Sequence, residues 1–348
     1  MNANKRLSRV LHALSFRNAS ALWVLAIIVL VFSITIPETF LAPRTWLSLL
    51  DTQSIAALTA IALIIPLAAG AFNLAVGAQV GVASMMIAWL LVPMGLPLPL
   101  ALVLTLTFGA AVGFVTGLLV VVARIDSFIA TMGVSSLLAA VVTLLSGGRQ
   151  ILGMPQPLVD FGSGRVFGFT YAFLVMLVLA VIVWYVMERT PVGRRIYATG
   201  GNAEAARLSG VRVSWIIVGA LTACGIITGL AGVLVTARLT NADPTIGPAY
   251  LLPAFTAAFL GATQFGRGRF NVWGTVLSVY VLAAGVKGLQ LSGAPTWISD
   301  AFNGVALLVA VGLAASTRVG GRRSLVDRVR KRRVSRIEAP RSRATVAK

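Results

Sequence analysis

Charge and reactive side chains are scarce in this sequence. Its 348 residues include one cysteine, one histidine and ten acidic residues, and charged residues make up 11% of the chain, against about a quarter in ordinary soluble domains. The single cysteine, Cys224, excludes an intramolecular disulfide, and its apolar neighbours favour a buried structural role. His12 lies near the N-terminus, and no Walker A pattern, zinc-ligand cluster or nucleophile elbow is present. The sequence predicts no catalytic residues, no metal site and no cofactor.

Long hydrophobic runs are abundant, and hydrophobic residues make up 58% of the chain. A membrane-crossing helix needs roughly 20 mostly apolar residues. The sequence therefore predicts an all-α polytopic membrane protein with about ten transmembrane helices. The predicted spans are 21–39, 48–69, 72–92, 98–123, 127–146, 168–187, 214–236, 249–263, 271–290 and 296–316.

The positive charge is uneven along the chain. The formal net charge is +19, and residues 318–348 hold twelve Lys or Arg against two acids. Because basic residues collect on cytoplasmic segments, the N-terminal segment 1–20 and the tail 317–348 are both predicted to be cytoplasmic. They flank a transmembrane domain, 21–316. We expect a disordered tail that contacts anionic lipid or marks topology, and no nucleic-acid partner.

Ionisable residues are almost missing from the middle of the predicted spans. Between residues 48 and 146 the charged residues are Asp51, Arg124 and Asp126, all near span ends. Ion-coupled carriers place such residues inside their spans, where a charge costs about 2.5–3.5 kcal/mol. Proton or sodium coupling is therefore disfavoured.

Lys287 and Asp300 lie on either side of the tight turn Ser292–Pro295. They are predicted to pair and so join the last two spans. The alternative is that each side chain reaches water separately at the membrane surface.

The segment Gly70–Gly77 places glycines and an amide between two spans. Irregular backbone at membrane depth is tolerated beside protein or a water-filled path. Phe72, Asn73 and Gln79 are therefore candidates for a polar solute path, in which the ring stacks on a sugar and the amides supply hydrogen bonds. The alternative is a glycine-permitted kink with satisfied amides.

Small residues recur at four-residue spacing in two spans, which permits close helix packing. They are Gly109, Gly113 and Gly117 in one span and Gly225, Gly229 and the nearby Gly232 in the other. The strings at 115–124 and 227–238 resemble each other and would cross in opposite directions. They raise the hypothesis of an inverted repeat, with a chance match of apolar residues as the alternative.

The stretch Tyr197–Val213, which reads YATGGNAEAARLSGVRV, is a polar patch between two apolar spans. Asn202 is a good N-cap, Glu204 falls in the first turn, Arg207 lies toward the other end, and Gly210 can end the helix. The patch is predicted to form a short helix on which a partner docks. We call it the coupling segment.

The coupling segment resembles the ATPase-contacting region of permease subunits of bacterial ABC importers, in the branch that takes up ribose, xylose and similar monosaccharides. The family pattern is GGN-x-E-A-A-R-x-S-G. The residues that match it are Gly200, Gly201, Asn202, Glu204, Ala205, Ala206, Arg207, Ser209 and Gly210. The resemblance implies a cytoplasmic loop, 188–213, that contacts an ATP-binding subunit.

Two further stretches carry the resemblance, which covers roughly residues 45–315. Residues 191–194 resemble the family's T-x-x-G-R motif, and residues 127–133 its F-I-x-T-L-G motif. The resemblance implies a bacterial inner-membrane permease that hydrolyses nothing itself and works by alternating access. Its implied partners are a second copy or a related permease, two cytosolic ATP-binding subunits and an extracytoplasmic solute-binding protein. The predicted docking loops for the last are 147–168 and 238–250.

The chain also departs from the family pattern. Asn73 stands where the family has an aspartate, and Tyr250 is followed by Leu-Leu-Pro instead of Glu-Leu-Asp. Ala262 and Arg267 occupy expected glycine positions. The substrate therefore stays open between a monosaccharide and another small metabolite, such as an amino acid or a nucleoside. A stand-alone secondary carrier is a further alternative.

Overall fold

The computed structural model describes residues 20–264, 268–295 and 297–312. The basic N-terminal run and the tail 317–348 lie outside the described residues. The helices are α1 Ser20–Thr35, α2 Pro37–Phe40, α3 Pro43–Ala68, α4 Val76–Leu91, α5 Leu98–Val121, α6 Ser127–Ser146, α7 Gln156–Ser163, α8 Tyr171–Arg189, α9 Pro191–Gly201, α10 Ala203–Leu208, α11 Val213–Leu239, α12 Pro248–Gln264, α13 Val272–Leu291 and α14 Trp297–Gly312. A two-residue hairpin, β1 Arg165–Val166 and β2 Phe169–Thr170, precedes α8.

Six of these helices are long and apolar enough to cross a membrane, namely α3, α5, α6, α8, α11 and α13. Three shorter apolar helices, α4, α12 and α14, accompany them. The prediction of an all-helical polytopic membrane protein is confirmed at this level. The span predicted at 72–92 begins later, at Val76, because the residues before it are irregular.

Close backbone approach holds α5 against α11. A Cβ on Gly109 would lie 2.5 Å from the Gly225 carbonyl oxygen, and one on Gly117 would lie 2.7 Å from the Val218 Cα. Since the α5 positions ascend as their α11 partners descend, the two helices are antiparallel. The predicted role of the glycine spacing in close packing is confirmed.

Two groups of four helices repeat the same order of elements. In α3–α6 a 26-residue helix is followed by irregular residues 69–75 and a 16-residue helix. In α11–α14 a 27-residue helix is followed by irregular residues 240–247 and a 17-residue helix. Asp51 near the start of α3 pairs with Arg238 at the end of α11, so the two long helices are antiparallel. The shared order of elements and this antiparallel pair support the hypothesis of an inverted repeat.

The similar strings at 115–124 and 227–238 do not mark this repeat. They lie on α5 and α11, which occupy different positions in their groups. The equivalent of α11 is α3, and the equivalent of α5 is α13. The alternative, a chance match of apolar residues, fits this order of elements better, because glycine-rich apolar strings recur wherever helices pack closely.

The core is centred on the two long helices. The central parts of α3 and α11 are mostly buried, whereas α5, α6 and α8 keep most of their surface on the outside of the bundle. Side chains on those outer helices are apolar, as expected for contact with lipid tails. Of the residues that follow α3, Ala69, Ala71, Asn73 and Ala75 are buried, whereas most of those that follow α11 are exposed or half-buried.

Candidate coupling and transport site

The coupling segment folds into the end of α9 and a separate short helix, α10. The Asn202 side chain accepts a hydrogen bond from the Ala205 backbone N–H at 3.0 Å and so caps α10. Glu204 lies in its first turn and Arg207 in its last. Gly210 follows with φ +83°, a conformation that glycine adopts without strain. The predicted short helix between Asn202 and Gly210 is confirmed.

This segment presents a continuous exposed surface. Ala206 is buried and anchors α10, whereas Leu208 is 83% exposed. The remaining matched residues, which are Gly200, Gly201, Asn202, Glu204, Ala205, Arg207, Ser209 and Gly210, are all exposed. Charged, polar and apolar groups therefore stand side by side on a surface that the rest of the described chain leaves uncovered.

Two residues of α9, Tyr197 and Gly200, tie the base of this surface to the transmembrane helices, and Tyr197 is the first. The Tyr197 hydroxyl donates to the Phe270 carbonyl at 2.7 Å, and the Arg269 guanidinium carbon lies 4.0 Å from the centre of its ring. Burial and the nearby Glu188 carboxylate raise the pKa of Tyr197, so this hydroxyl stays protonated and remains a donor. The end of α9 is thereby fixed to the connection between α12 and α13.

The second contact joins Gly200 to the end of α3. A Cβ on Gly200 would overlap the Ala68 carbonyl oxygen and would lie 3.0 Å from the Gly70 nitrogen. Gly70 has φ +86° and starts the irregular residues 69–75, which we call the break. Gly200 in α9 therefore lies against the backbone that links α3 to α4.

Side chains of α6 satisfy the backbone of the break. The Phe72 N–H donates to Ser127 Oγ at 3.1 Å, and the Leu74 N–H donates to Thr131 Oγ1 at 3.1 Å. Both acceptors lie in the first turns of α6, whose N-cap is Asp126. The break is thus a defined structure held by a neighbouring helix, as irregular backbone inside a membrane requires.

The two candidate path amides lie inside the protomer. Asn73 is fully buried and Gln79 is 2% exposed. Asn73 Nδ2 lies 3.2 Å from Gln79 Oε1 and 3.3 Å from Cys224 Sγ, and Thr228 Oγ1 lies 3.3 Å from the same Gln79 oxygen. Gln79 Nε2 has no hydrogen-bond partner among the described residues. Phe72, in contrast, is 41% exposed.

The ion pair between helices involves other residues than the predicted ones. Within the described residues, no ion pair joins Lys287 to Asp300; Arg238 Nε lies 3.3 Å from Asp51 Oδ2 instead. Thr170 Oγ1 donates to the other Asp51 oxygen at 2.8 Å. The sequence placed both members of this pair at span ends but gave no sign of their contact, because they are far apart along the chain.

The two loops predicted to dock a solute-binding protein meet each other. Ile151 and Ala242 exchange two backbone hydrogen bonds of 3.0 Å, and Gln150 Nε2 donates to Asp243 Oδ2 at 2.6 Å. Hydrogen bonds from Thr245, with that from Gln150, hold the pKa of Asp243 below its usual value. Loops 147–168 and 238–250 therefore form one surface, which we call the paired loops.

Comparison with known proteins places the chain in a family. Residues 46–311 match the family model described as the permease component of the branched-chain amino acid transport system. The chain belongs to this permease family. No solved structure matches it.

Several curated relatives share most of the permease's length. The ribose import permease protein RbsC of Bacillus subtilis (strain 168) is 33% identical over 82% of this chain and 89% of its own length. The ribose import permease protein RbsC of Escherichia coli (strain K12) is 30% identical over 83% and 91%. The D-allose transport system permease protein AlsC of the same strain is 28% identical over 86% and 92%. The permease is thus a multi-pass transport subunit of the bacterial inner membrane.

Proposed function

We propose that the permease forms the membrane pathway of an ATP-driven importer for a monosaccharide or a similar small polar solute. Two relatives named for ribose import and one named for D-allose transport each align with more than four fifths of the chain. The pathway is completed by a second copy or a related permease. ATP hydrolysis takes place in separate cytosolic subunits.

Ten membrane crossings fit this role, namely α1, α3 to α6, α8 and α11 to α14. With ten crossings both termini lie on one side, and the basic tail makes that side the cytoplasm. The exposed α9 and α10 then face the cytoplasm, on the same side as the ATP-binding subunits. The paired loops face the opposite side and receive the solute-binding protein.

One observation carries the mechanism: the exposed surface of α10 is continuous with a backbone contact at the break. An ATP-binding subunit that docks on Glu204 and Arg207 would move α9. Because Gly200 touches the backbone at Ala68 and Gly70, that movement shifts the end of α3. The break would then change the relative positions of α3, α4 and α6, which gives alternating access.

The solute path is proposed to run beside the break. Phe72 is the candidate that already lies at the protomer surface. Asn73 and Gln79 reach a solute only when α4 and α11 separate, and the unpaired Gln79 Nε2 supplies a donor for that state. In the state described here, both amides act as a buried network behind the path.

The description of the matched family keeps a second substrate class in view, because it names branched-chain amino acids. The relatives named for ribose and allose favour a sugar instead. A stand-alone secondary carrier is the remaining alternative. Sparse charge within the spans argues against it.

Uptake by reconstituted vesicles tests the proposal. The permease, its ATP-binding subunits and its solute-binding protein are placed in vesicles, and uptake of labelled D-ribose, D-allose and L-leucine is measured with ATP, without ATP and with a protonophore. We expect sugar uptake that requires ATP and ignores the protonophore. Uptake that ignores ATP and is abolished by the protonophore would establish a secondary carrier.

Substitutions in α10 test the coupling role separately. Glu204→Gln and Arg207→Gln remove exposed charges without removing a hydrogen bond that supports the fold. We expect both variants to insert normally and to lose solute uptake per ATP hydrolysed. Arg44→Gln, which removes an exposed positive charge at the start of α3, outside loop 188–213, is the matched control. Normal coupling in both α10 variants would refute the role of this surface.

A further inference from the structure

A cavity of about 260 Å³ lies between α3, α12, α13 and α14, apart from the buried network at the break. One wall is aliphatic, and the others carry the side chains of Thr52, Gln53, Tyr250 and Asn303. No lining residue is charged. Small-molecule sites commonly measure about 300–1,000 Å³, so this volume fits a small solute.

Three of these polar side chains have no hydrogen-bond partner in the part of the chain that the structure describes. Within the described residues, the Gln53 amide, the Tyr250 hydroxyl and the Asn303 side-chain amide form no hydrogen bond. Thr52 differs, because Arg238 Nη2 lies 3.4 Å from its hydroxyl. None of the three groups is sealed from water, because Gln53, Tyr250 and Asn303 are half-buried and their polar atoms keep some accessible surface. A ligand that displaces water from them must donate and accept hydrogen bonds in its place.

We propose that this cavity binds a neutral polyhydroxylated solute of monosaccharide size, held by Gln53, Tyr250 and Asn303. Sugar hydroxyls donate and accept, as two amides and a phenol require, and the aliphatic wall takes the C–H face of the ring. The inference rests on the proposed function, because it makes this cavity a station of the transported solute within one protomer.

Charge selects against the other substrate class. An amino acid brings an ammonium and a carboxylate, and burying either without an opposite charge is costly. The nearby Asp51 and Arg238 already pair with each other at 3.3 Å. Pro253 also lines the cavity, at the position where the resembling family has an aspartate. The site is therefore neutral in this chain.

A lipid chain is the competing occupant, and it would leave the three polar groups unpaired.

Cysteine labelling distinguishes a bound sugar from a bound lipid chain. Cys224 is fully buried, so Asn303→Cys adds a single reactive thiol at the cavity, and Ser292→Cys adds an exposed thiol in the turn after α13 as a control. The permease complex, without ATP, is treated with a water-soluble thiol reagent in the presence of D-ribose, D-allose or L-leucine.

We expect at least one of the two sugars to slow modification of Asn303→Cys tenfold or more. We expect L-leucine to have no effect, and Ser292→Cys to react equally throughout. A rate that neither sugar changes, or that L-leucine lowers equally, would overturn the inference. So would a thiol that becomes reactive only when lipid is removed, because lipid would then be the occupant.

Tyr250→Phe provides an independent measure, since it removes only the hydroxyl. In the double variant with Asn303→Cys, we measure the sugar concentration that gives half-maximal protection of the thiol. We expect Tyr250→Phe to raise this concentration about tenfold, the effect of one lost hydrogen bond. Tyr280→Phe is the matched control, because its hydroxyl donates to the Leu50 carbonyl at 3.2 Å and does not line the cavity. Equal effects of the two variants would contradict a direct contact.

The labelling and the uptake assays fail independently. Protection by sugar without ATP-driven uptake would refute the proposed function and leave the cavity as a sugar site with no role in transport. ATP-driven sugar uptake without protection would uphold the proposed function and remove the cavity from the path.

Discussion

The contact between Gly200 and the end of α3 gives the sharpest prediction about force transmission. In Gly200→Ala the added methyl group overlaps the Ala68 carbonyl oxygen. This carbonyl belongs to the backbone and cannot rotate away like a flexible side chain, so α9 or the break must shift. Overpacking of this kind costs about 1–3 kcal/mol.

The helical preference of alanine opposes this cost. Replacing glycine by alanine within a helix stabilises by about 0.5–1 kcal/mol. We therefore expect Gly200→Ala to lower the free energy of unfolding by up to about 2.5 kcal/mol. Gly219→Ala is the matched control, because a Cβ at Gly219 in α11 meets nothing within 4 Å. Gly219→Ala should therefore gain only the free energy that alanine contributes through its helical preference.

The assay compares both variants for thermal unfolding and for solute uptake per ATP hydrolysed. We expect Gly200→Ala to unfold at a lower temperature than the unmodified protein and to lose coupling, because the spacing between α9 and the break has changed. Gly219→Ala should retain coupling and unfold at the same temperature or slightly higher. If the two variants behave alike, the contact at Gly200 transmits nothing.

Three further results follow from the structure. Asp51→Asn and Arg238→Gln should each lower the free energy of unfolding by about 1–3 kcal/mol. In a double-mutant cycle measured by denaturant unfolding, the double variant should lose less free energy of unfolding than the two single variants lose together. Asn73→Asp should destabilise by a similar amount, read as a lower unfolding temperature, because a carboxylate in this fully buried site cannot donate the amide's hydrogen bonds. The hydrogen bonds that lower the pKa of Asp243 stabilise the paired loops fully above the unfolded pKa of about 3.9. This stabilisation is lost as the pH falls through the lower folded pKa, and hydrogen-exchange protection of the paired loops should fall over the same pH range. Thr245→Val removes one of these hydrogen bonds and should move the loss to higher pH.

Much of the fold could be predicted from the sequence, because each helix depends on local composition. Runs of apolar residues gave the long helices, and the glycine spacing gave the close contact of α5 with α11. The cap at Asn202 and the end at Gly210 follow from the preferences of those two residues. Such features need only neighbours along the chain.

Features that depend on distant residues could not be predicted in this way. Asp51 and Arg238 lie far apart along the chain but in contact in the fold, whereas Lys287 and Asp300 were chosen because they flank one turn. The contact of Gly200 with Ala68 is equally distant along the chain. The coupling segment could therefore be found from the sequence, whereas its contact with the end of α3 could not.

The transport site shows the same limit. Gly70–Gly77 was recognised as a break, yet its glycines and amides fit a solute path and a buried network equally well. The burial of Asn73 against Cys224 decides in favour of a network in the state described here. The cavity at Tyr250 draws on four helices, and no local motif indicates it.

Crosslinking at the coupling segment tests the central claim most directly. Leu208→Cys carries a single exposed thiol on α10. A photoreactive thiol reagent is attached to it in membrane vesicles that contain the whole transporter, and the crosslink identifies the neighbouring subunit. Inside-out and right-side-out vesicles are compared. We predict a crosslink to the ATP-binding subunit and attachment of a membrane-impermeant reagent in inside-out vesicles alone. Attachment in right-side-out vesicles, with no crosslink to that subunit, would contradict it.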